Sequence, residues 1–175
     1  FIFIGRLEDA KGVRRILNVF SKLTHPRIGE IHFVGDGASR KAYEAYVRSH
    51  KMKGMVFHGF LTRDRINELL KKSHVFLLPS SASEGFPKVI AEAANYGAIP
   101  VVSDVSSIGQ YIIEDKTGLI VKNADETILR EKILKVLNTD ESKLKDIAES
   151  AYVMAHKFTY EHYNSRIISD IIFNE

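Results

Sequence analysis

The chain reads as an α/β protein, a Rossmann-like doubly wound six-stranded parallel sheet with strand order 3-2-1-4-5-6. Three observations carry this. Short apolar runs near 1–4, 31–34, 55–58, 75–78, 99–102 and 118–121 alternate with stretches of helical periodicity, the pattern of a sheet covered on both faces. The runs are nearly all apolar, as parallel strands buried on both sides are. Right-handed crossovers then leave few ways to connect such units. With 175 residues, 45% hydrophobic and 27% charged, the chain suits one soluble domain with a real core.

The first strand, 1–4, runs into Gly5-Arg6-Leu7 and on to Lys11-Gly12. Val13, Ile16, Leu17, Phe20 and Leu23 then recur at helical spacing. Arg6 and Lys11 therefore fall in the loop at the carboxyl end of strand one, where open parallel sheets bind ligands. Two cations there suit a diphosphate, arginine by its planar fork and lysine as a point charge. Strand two ends in Gly35-Asp36-Gly37, with Arg40 where a dinucleotide fingerprint needs its third glycine. The turn also follows the second strand rather than the first, so NAD binding is rejected. Tyr43, Tyr46 and Val47 share a face of the next helix and read as core.

Strand three leads through Gly59-Phe60-Leu61 to Thr62, which is placed to cap a helix bearing Ile66, Leu69 and Leu70. Strand four, 75–78, stops at Pro79, and a polar loop reaches Gly85 and Pro87. Proline suits a helix's first turn and Gly97 suits its left-handed end, which predicts a helix ending near Tyr96. The amides of residues 88–90 would then face outward as an anion site. Glu84 and Glu92 bracket this turn, and acids beside a phosphate are unfavourable unless they meet cations. Their more natural partners are sugar hydroxyls, to which a carboxylate makes charge-assisted bonds. A phosphate with a sugar on either side is a nucleotide sugar.

Strand five, 99–102, is followed by Ser106 and Ser107 as caps for a short helix with Ile108, Tyr111 and Ile112. After strand six come three helices, the last started by Thr159 with Tyr160, Tyr163, Ile167 and Ile171 on one stripe. The chain opens on a strand, which predicts a piece of a longer protein with a domain upstream. No apolar run approaches the ~20 residues of a membrane span. No cysteine occurs, which fits a reducing cytoplasm. The net charge of +3 is spread, with no nucleic-acid footprint. The histidines form no H-x-H or H-x-x-x-H pair and no D-x-D is present, so no metal site is expected. His58, nearest the presumed cleft, reads as structural.

The Glu84-Gly85-Phe86 turn, Glu92 eight residues on, and the later Gly97 and Pro100-Val101-Val102-Ser103 resemble the signature of the retaining glycosyltransferases of family 4. Upstream, Gly5-Arg6-Leu7 with Lys11-Gly12, and Val34-Gly35-Asp36-Gly37, are similar to further pieces of it in the same order. The resemblance covers essentially the whole chain and implies the carboxyl-terminal, donor-binding half of a GT-B fold. It implies Arg6, Lys11, Lys88 and Val89 at the donor diphosphate, and Glu92 at the ribose. Glu84, with Gly85 and Phe86, would meet the transferred sugar, Glu84 as the catalytic group. Gly35, Gly37, Phe60 and Leu61 would lie near the nucleobase.

The resemblance further implies a UDP- or GDP-linked sugar as substrate, no cofactor, and a glycan or lipid-linked acceptor bound largely by an amino-terminal domain. It implies a cytoplasmic location, with contact at the inner face of a membrane for the whole protein. The final helix would cross toward that other domain, leaving part of its stripe exposed here. The family often carries glycine where Pro87 stands, which removes one backbone donor. Two alternatives stay open: another GT-B enzyme, such as an inverting transferase or nucleotide-sugar epimerase, or a non-catalytic nucleotide-binding module.

Overall fold

The computed structural model describes residues 1–83 and 85–169, so Glu84 and Ile171 lie outside the described residues. The elements are β1 (Ile2–Ile4), α1 (Val13–Ser21), β2 (Ile31–Val34), α2 (Arg40–Ser49), β3 (Met55–Gly59), α3 (Arg63–Leu70), β4 (Val75–Leu78), α4 (Lys88–Asn95), β5 (Ile99–Ser103), β6 (Leu119–Val121), α5 (Glu126–Asn138), α6 (Glu141–Ala155) and α7 (Tyr160–Ile167). They form one six-stranded sheet in the order β3-β2-β1-β4-β5-β6, with every neighbouring pair parallel. This is the predicted topology. Strand order reverses between β1 and β4, so right-handed crossovers put α1 and α4 on opposite faces. On one face α1 packs against α5, with Asn18 Nδ2 donating to Glu126 Oε2 at 2.8 Å. On the other α4 packs against α6.

The core follows from the apolar runs. Ile2, Phe3, Phe33, Phe76, Leu77, Val101 and Val102 are fully buried in the strands. Ile16 and Leu17 of α1, Ile90 and Ala94 of α4, and Ile133 of α5 close over them. Burial of each large side chain is worth about 1.5–3 kcal/mol. Tyr43 is core, as expected, and its hydroxyl donates to Asp9 Oδ1 at 2.7 Å. Burial first, and then that hydrogen bond, push its phenol up to about 12.

The helix ends differ in detail from the sequence reading. Thr62 and Ser107 stand at their caps, but neither hydroxyl bonds the following turn. Asp125 and Thr159 do cap, accepting from the amides of Ile128 and His162. β6 begins at Leu119, and Gly118 before it bridges to Glu114 and passes so close to Pro100 that a Cβ would sit 2.6 Å from its carbonyl oxygen. On α7, Tyr160 and Tyr163 are exposed.

A bulge places the histidines. Phe33 pairs with Phe57 but Val34 pairs with Gly59, so His58 is an extra residue in β3. His32 Nδ1 and His58 Nε2 lie 3.0 Å apart, one ring donating to the other. Burial holds both imidazoles below their ordinary value of 6.5. The pair is thus structural.

Two predictions follow from these contacts. A base whose folded pKa is depressed contributes stability above the unfolded value and loses it as pH falls through the folded one. Urea midpoints measured from about pH 8 to about pH 5 should therefore fall below 6.5, and His58→Gln should flatten that fall. Gly12 has φ +88, and a Cβ there would lie 2.3 Å from the Pro79 carbonyl oxygen. Gly12→Ala should cost about 2 kcal/mol or more and lower Tm by roughly 5 °C. Gly29→Ala, with nothing within 4 Å, should change Tm little.

Candidate functional site

The loops at the carboxyl edge of the sheet are knitted together by backbone. After β1, the Leu7 amide donates to Asp36 O at 2.9 Å; after β2, the Gly35 amide donates to Gly59 O at 2.8 Å. Gly35, at φ +122, lies so close to the first loop that a Cβ would meet Gly5 O at 2.1 Å. A Cβ on Gly37 would meet Leu7 O at 2.6 Å. Both glycines are therefore required by the close approach of two loops. Asp36 finishes this turn by accepting from the Gly37 amide at 2.8 Å and from Arg40 at 3.2 Å. The Gly37 amide first, with help from Arg40, holds its carboxyl below the usual carboxylate range. Arg40, which occupies the missing-glycine position, is thus a structural clamp that also reaches Glu44 at 2.9 Å.

A second set of bonds crosses the point where strand order reverses. The Ala10 carbonyl accepts from the Ser81 amide at 2.8 Å and from the Ser80 hydroxyl at 3.1 Å. Ser80 Oγ in turn accepts from the Ala82 amide at 3.1 Å, and Ser80 O accepts from the buried Ser103 hydroxyl at 2.5 Å. Ser83 and Ser106 hydroxyls meet at 3.0 Å. The polar loop after β4 is therefore tied to the loops after β1 and β5.

These ties decide where the predicted residues fall. Lys11 is nearly buried in a 3₁₀ turn, Asp9–Lys11, next to the Ala10 carbonyl. Arg6 is exposed, 3.5 Å from Glu8, and lines a pocket of about 290 Å³. That pocket is walled by Ile4, Val34, Leu61 and Ile66 and rimmed by Arg6, Asp36 and Phe60, with Gly35 in its lining. Phe60 is 82% exposed at its lip. Gly37 does not line it. Gly35, Phe60 and Leu61 thus share one pocket with Arg6, which the sequence assigned to the diphosphate instead.

α4 begins at Lys88, directly after Pro87, whose extended backbone (φ −66, ψ 111) makes it the residue before the first turn. Its carbonyl accepts the Ile90 amide at 2.9 Å, so that amide is spent. Lys88 and Val89 lead the helix, Lys88 exposed and Val89 half-buried. Phe86 stacks on Phe158 at 4.0 Å and meets Tyr111 edge-on at 5.0 Å, so its ring anchors the loop. Gly85 is exposed beside it. Glu84 lies outside the described residues. Glu92 is half-buried on α4, with Oε1 3.1 Å from Arg63 Nη1. Arg63 was missed in the sequence reading. The available signal was a cation at the first residue of a helix, where the macrodipole disfavours it.

Among the described residues no group of three or more His, Asp or Glu is placed to hold a metal ion, and no helix is long and apolar enough to cross a membrane. A larger groove of about 550 Å³, between Tyr111 and Ile113 and α6, contains none of the predicted site residues.

Comparison with known proteins converges on one family. The sequence profile described as Glycosyl transferases group 1 matches residues 1–154. A glycosyltransferase of Bacillus subtilis is 30% identical over 178 residues, covering 98% of this chain and 47% of that protein. The fold superposes on sucrose-phosphate synthase from Thermosynechococcus elongatus with a TM-score of 0.81 at 20% identity, over 99% of this chain and 46% of the other. It also matches the C-terminal domain of a glycosyl transferase group 1 family protein from Francisella tularensis, with a TM-score of 0.77 at 20% identity, over 90% of this chain and 84% of that one. The chain spans about half the length of the curated relatives it matches. The sheet order, the knitted rim and the profile match together establish the family: the chain belongs to the glycosyl transferases group 1, with a Rossmann-like GT-B fold.

Proposed function

We propose that the chain is the donor-binding domain of a retaining glycosyltransferase that moves a hexose from a UDP- or GDP-linked sugar to a glycan or lipid-linked acceptor. The observation that supports this best is the hydrogen bonding of the loop that carries Arg6 and Lys11 to the loop that leads into α4, where strand order reverses. Ligands of open α/β sheets bind at that point. The nucleobase enters the pocket of Gly35, Phe60 and Leu61, with Arg6 at its rim. Glu92 accepts from the ribose hydroxyls. Arg6, Lys11, Lys88 and the amides leading α4 receive the pyrophosphate, so charge neutralisation needs no metal.

Glu84, Gly85 and Phe86 meet the transferred sugar, on the strength of the motif they form. As the anomeric C–O bond breaks, negative charge grows on the leaving phosphate, and donors fixed in advance stabilise it more than the ground state. The acceptor attacks from the same face, so the anomeric configuration is kept. An amino-terminal domain of the longer protein binds the acceptor. Relatives named as a putative colanic acid biosynthesis glycosyltransferase and an alpha-galactosylglucosyldiacylglycerol synthase support a polysaccharide or glycolipid product.

Calorimetry of the chain against UDP, GDP and their sugars tests this. One nucleotide should bind, and Glu92→Gln and Arg6→Ala should each weaken it about tenfold, the value of a charge-assisted bond. The chain alone should show little or no transfer. Absence of binding by every nucleotide and nucleotide sugar would overturn the donor-binding reading.

A further inference from the structure

Glu92 stands close to where a pyrophosphate is proposed to lie, and an isolated anion there opposes the ligand. The fold supplies a cation from another element: Arg63 Nη1 reaches Glu92 Oε1 at 3.1 Å across 29 residues of sequence. Arg63 is the first residue of α3, where the helix dipole disfavours positive charge. Its side chain is 66% exposed, and that of Glu92 33%. An ion pair so exposed adds at most about 1 kcal/mol to stability, so losing it should cost the fold little. It leaves Glu92 acceptor capacity to spare, since a carboxylate has about four acceptor directions and Arg63 takes one. The pair also sits between two parts of the same rim, because α3 begins four residues after Gly59 and follows the Phe60-Leu61 lip of the pocket.

We propose that Arg63 is a positioning residue for the donor's ribose. It holds the Glu92 carboxylate oriented toward the two ribose hydroxyls, and it offsets the repulsion between Glu92 and the pyrophosphate. This rests on the donor-binding reading above. Arg63 opens α3 directly after the Phe60-Leu61 loop that borders the nucleobase pocket, so base and ribose recognition are coupled through one short segment.

The test is a double-mutant cycle read by calorimetry, using whichever of UDP and GDP binds more tightly, and its 2′,3′-dideoxy form. Arg63→Ala, with Arg63→Gln as a smaller change, should lower affinity for the ribonucleotide about fivefold. It should also reduce the preference for the ribonucleotide over the dideoxy form. In a Glu92→Gln background the same substitutions should have no further effect, as coupled groups require. Equal losses in both backgrounds, or no loss in either, would overturn the inference while nucleotide binding by the unaltered chain keeps the donor-binding reading intact. Failure of the unaltered chain to bind either nucleotide would overturn both.

Discussion

The carbonyl oxygen of Ala10 accepts three hydrogen bonds from Ser80 and Ser81 just after β4, and the rest of the rim is built on that joint. It spans the gap between β1 and β4, where the two halves of the sheet diverge. Each such hydrogen bond is worth about 0.5–1.5 kcal/mol, so together they hold the loop after β4 to the loop after β1. The joint closes only because Gly12 has no side chain against Pro79. Ser103 then ties the same loop to β5 from below. Lys11 and the approach to α4 inherit their places from these bonds.

The division of labour follows from burial. Strands covered on both faces hold apolar side chains and offer no chemistry, so charged and polar groups collect in the loops at one edge. Those loops are irregular backbone, and irregular backbone needs partners for its N–H and C=O groups. The neighbouring loops provide them, through Leu7 to Asp36, Gly35 to Gly59 and Ser81 to Ala10. The result is a polar rim whose loops are hydrogen-bonded to one another and carry cations. Aromatic packing of Phe86 on Phe158 secures the outer end of the rim to the segment between α6 and α7.

Much of this was legible in the residues. The apolar runs and the helical stripes gave topology, since right-handed crossovers admit few arrangements of six alternating units. Gly97, with its left-handed φ of +82, ended α4 as its position suggested. Long-range pairs were not legible. Arg63 and Glu92 lie 29 residues apart, and nothing local to either marks the other. The ring partner of Phe86 was not legible either, because Phe158 lies far along the chain. The hydroxyls of Thr62 and Ser107 had the right type and position for caps, but side-chain rotamer, unlike position, is set by surroundings.

The central claim is that this edge of the sheet receives a nucleoside diphosphate, with its pyrophosphate between the first loop and the start of α4. Amide chemical shifts recorded while UDP or GDP is titrated into the chain address it most directly. The account predicts the largest changes at Gly5, Arg6, Lys11, Lys88 and Val89, with smaller ones at Gly35 and Leu61. Changes confined to the groove between Tyr111, Ile113 and α6 would contradict it.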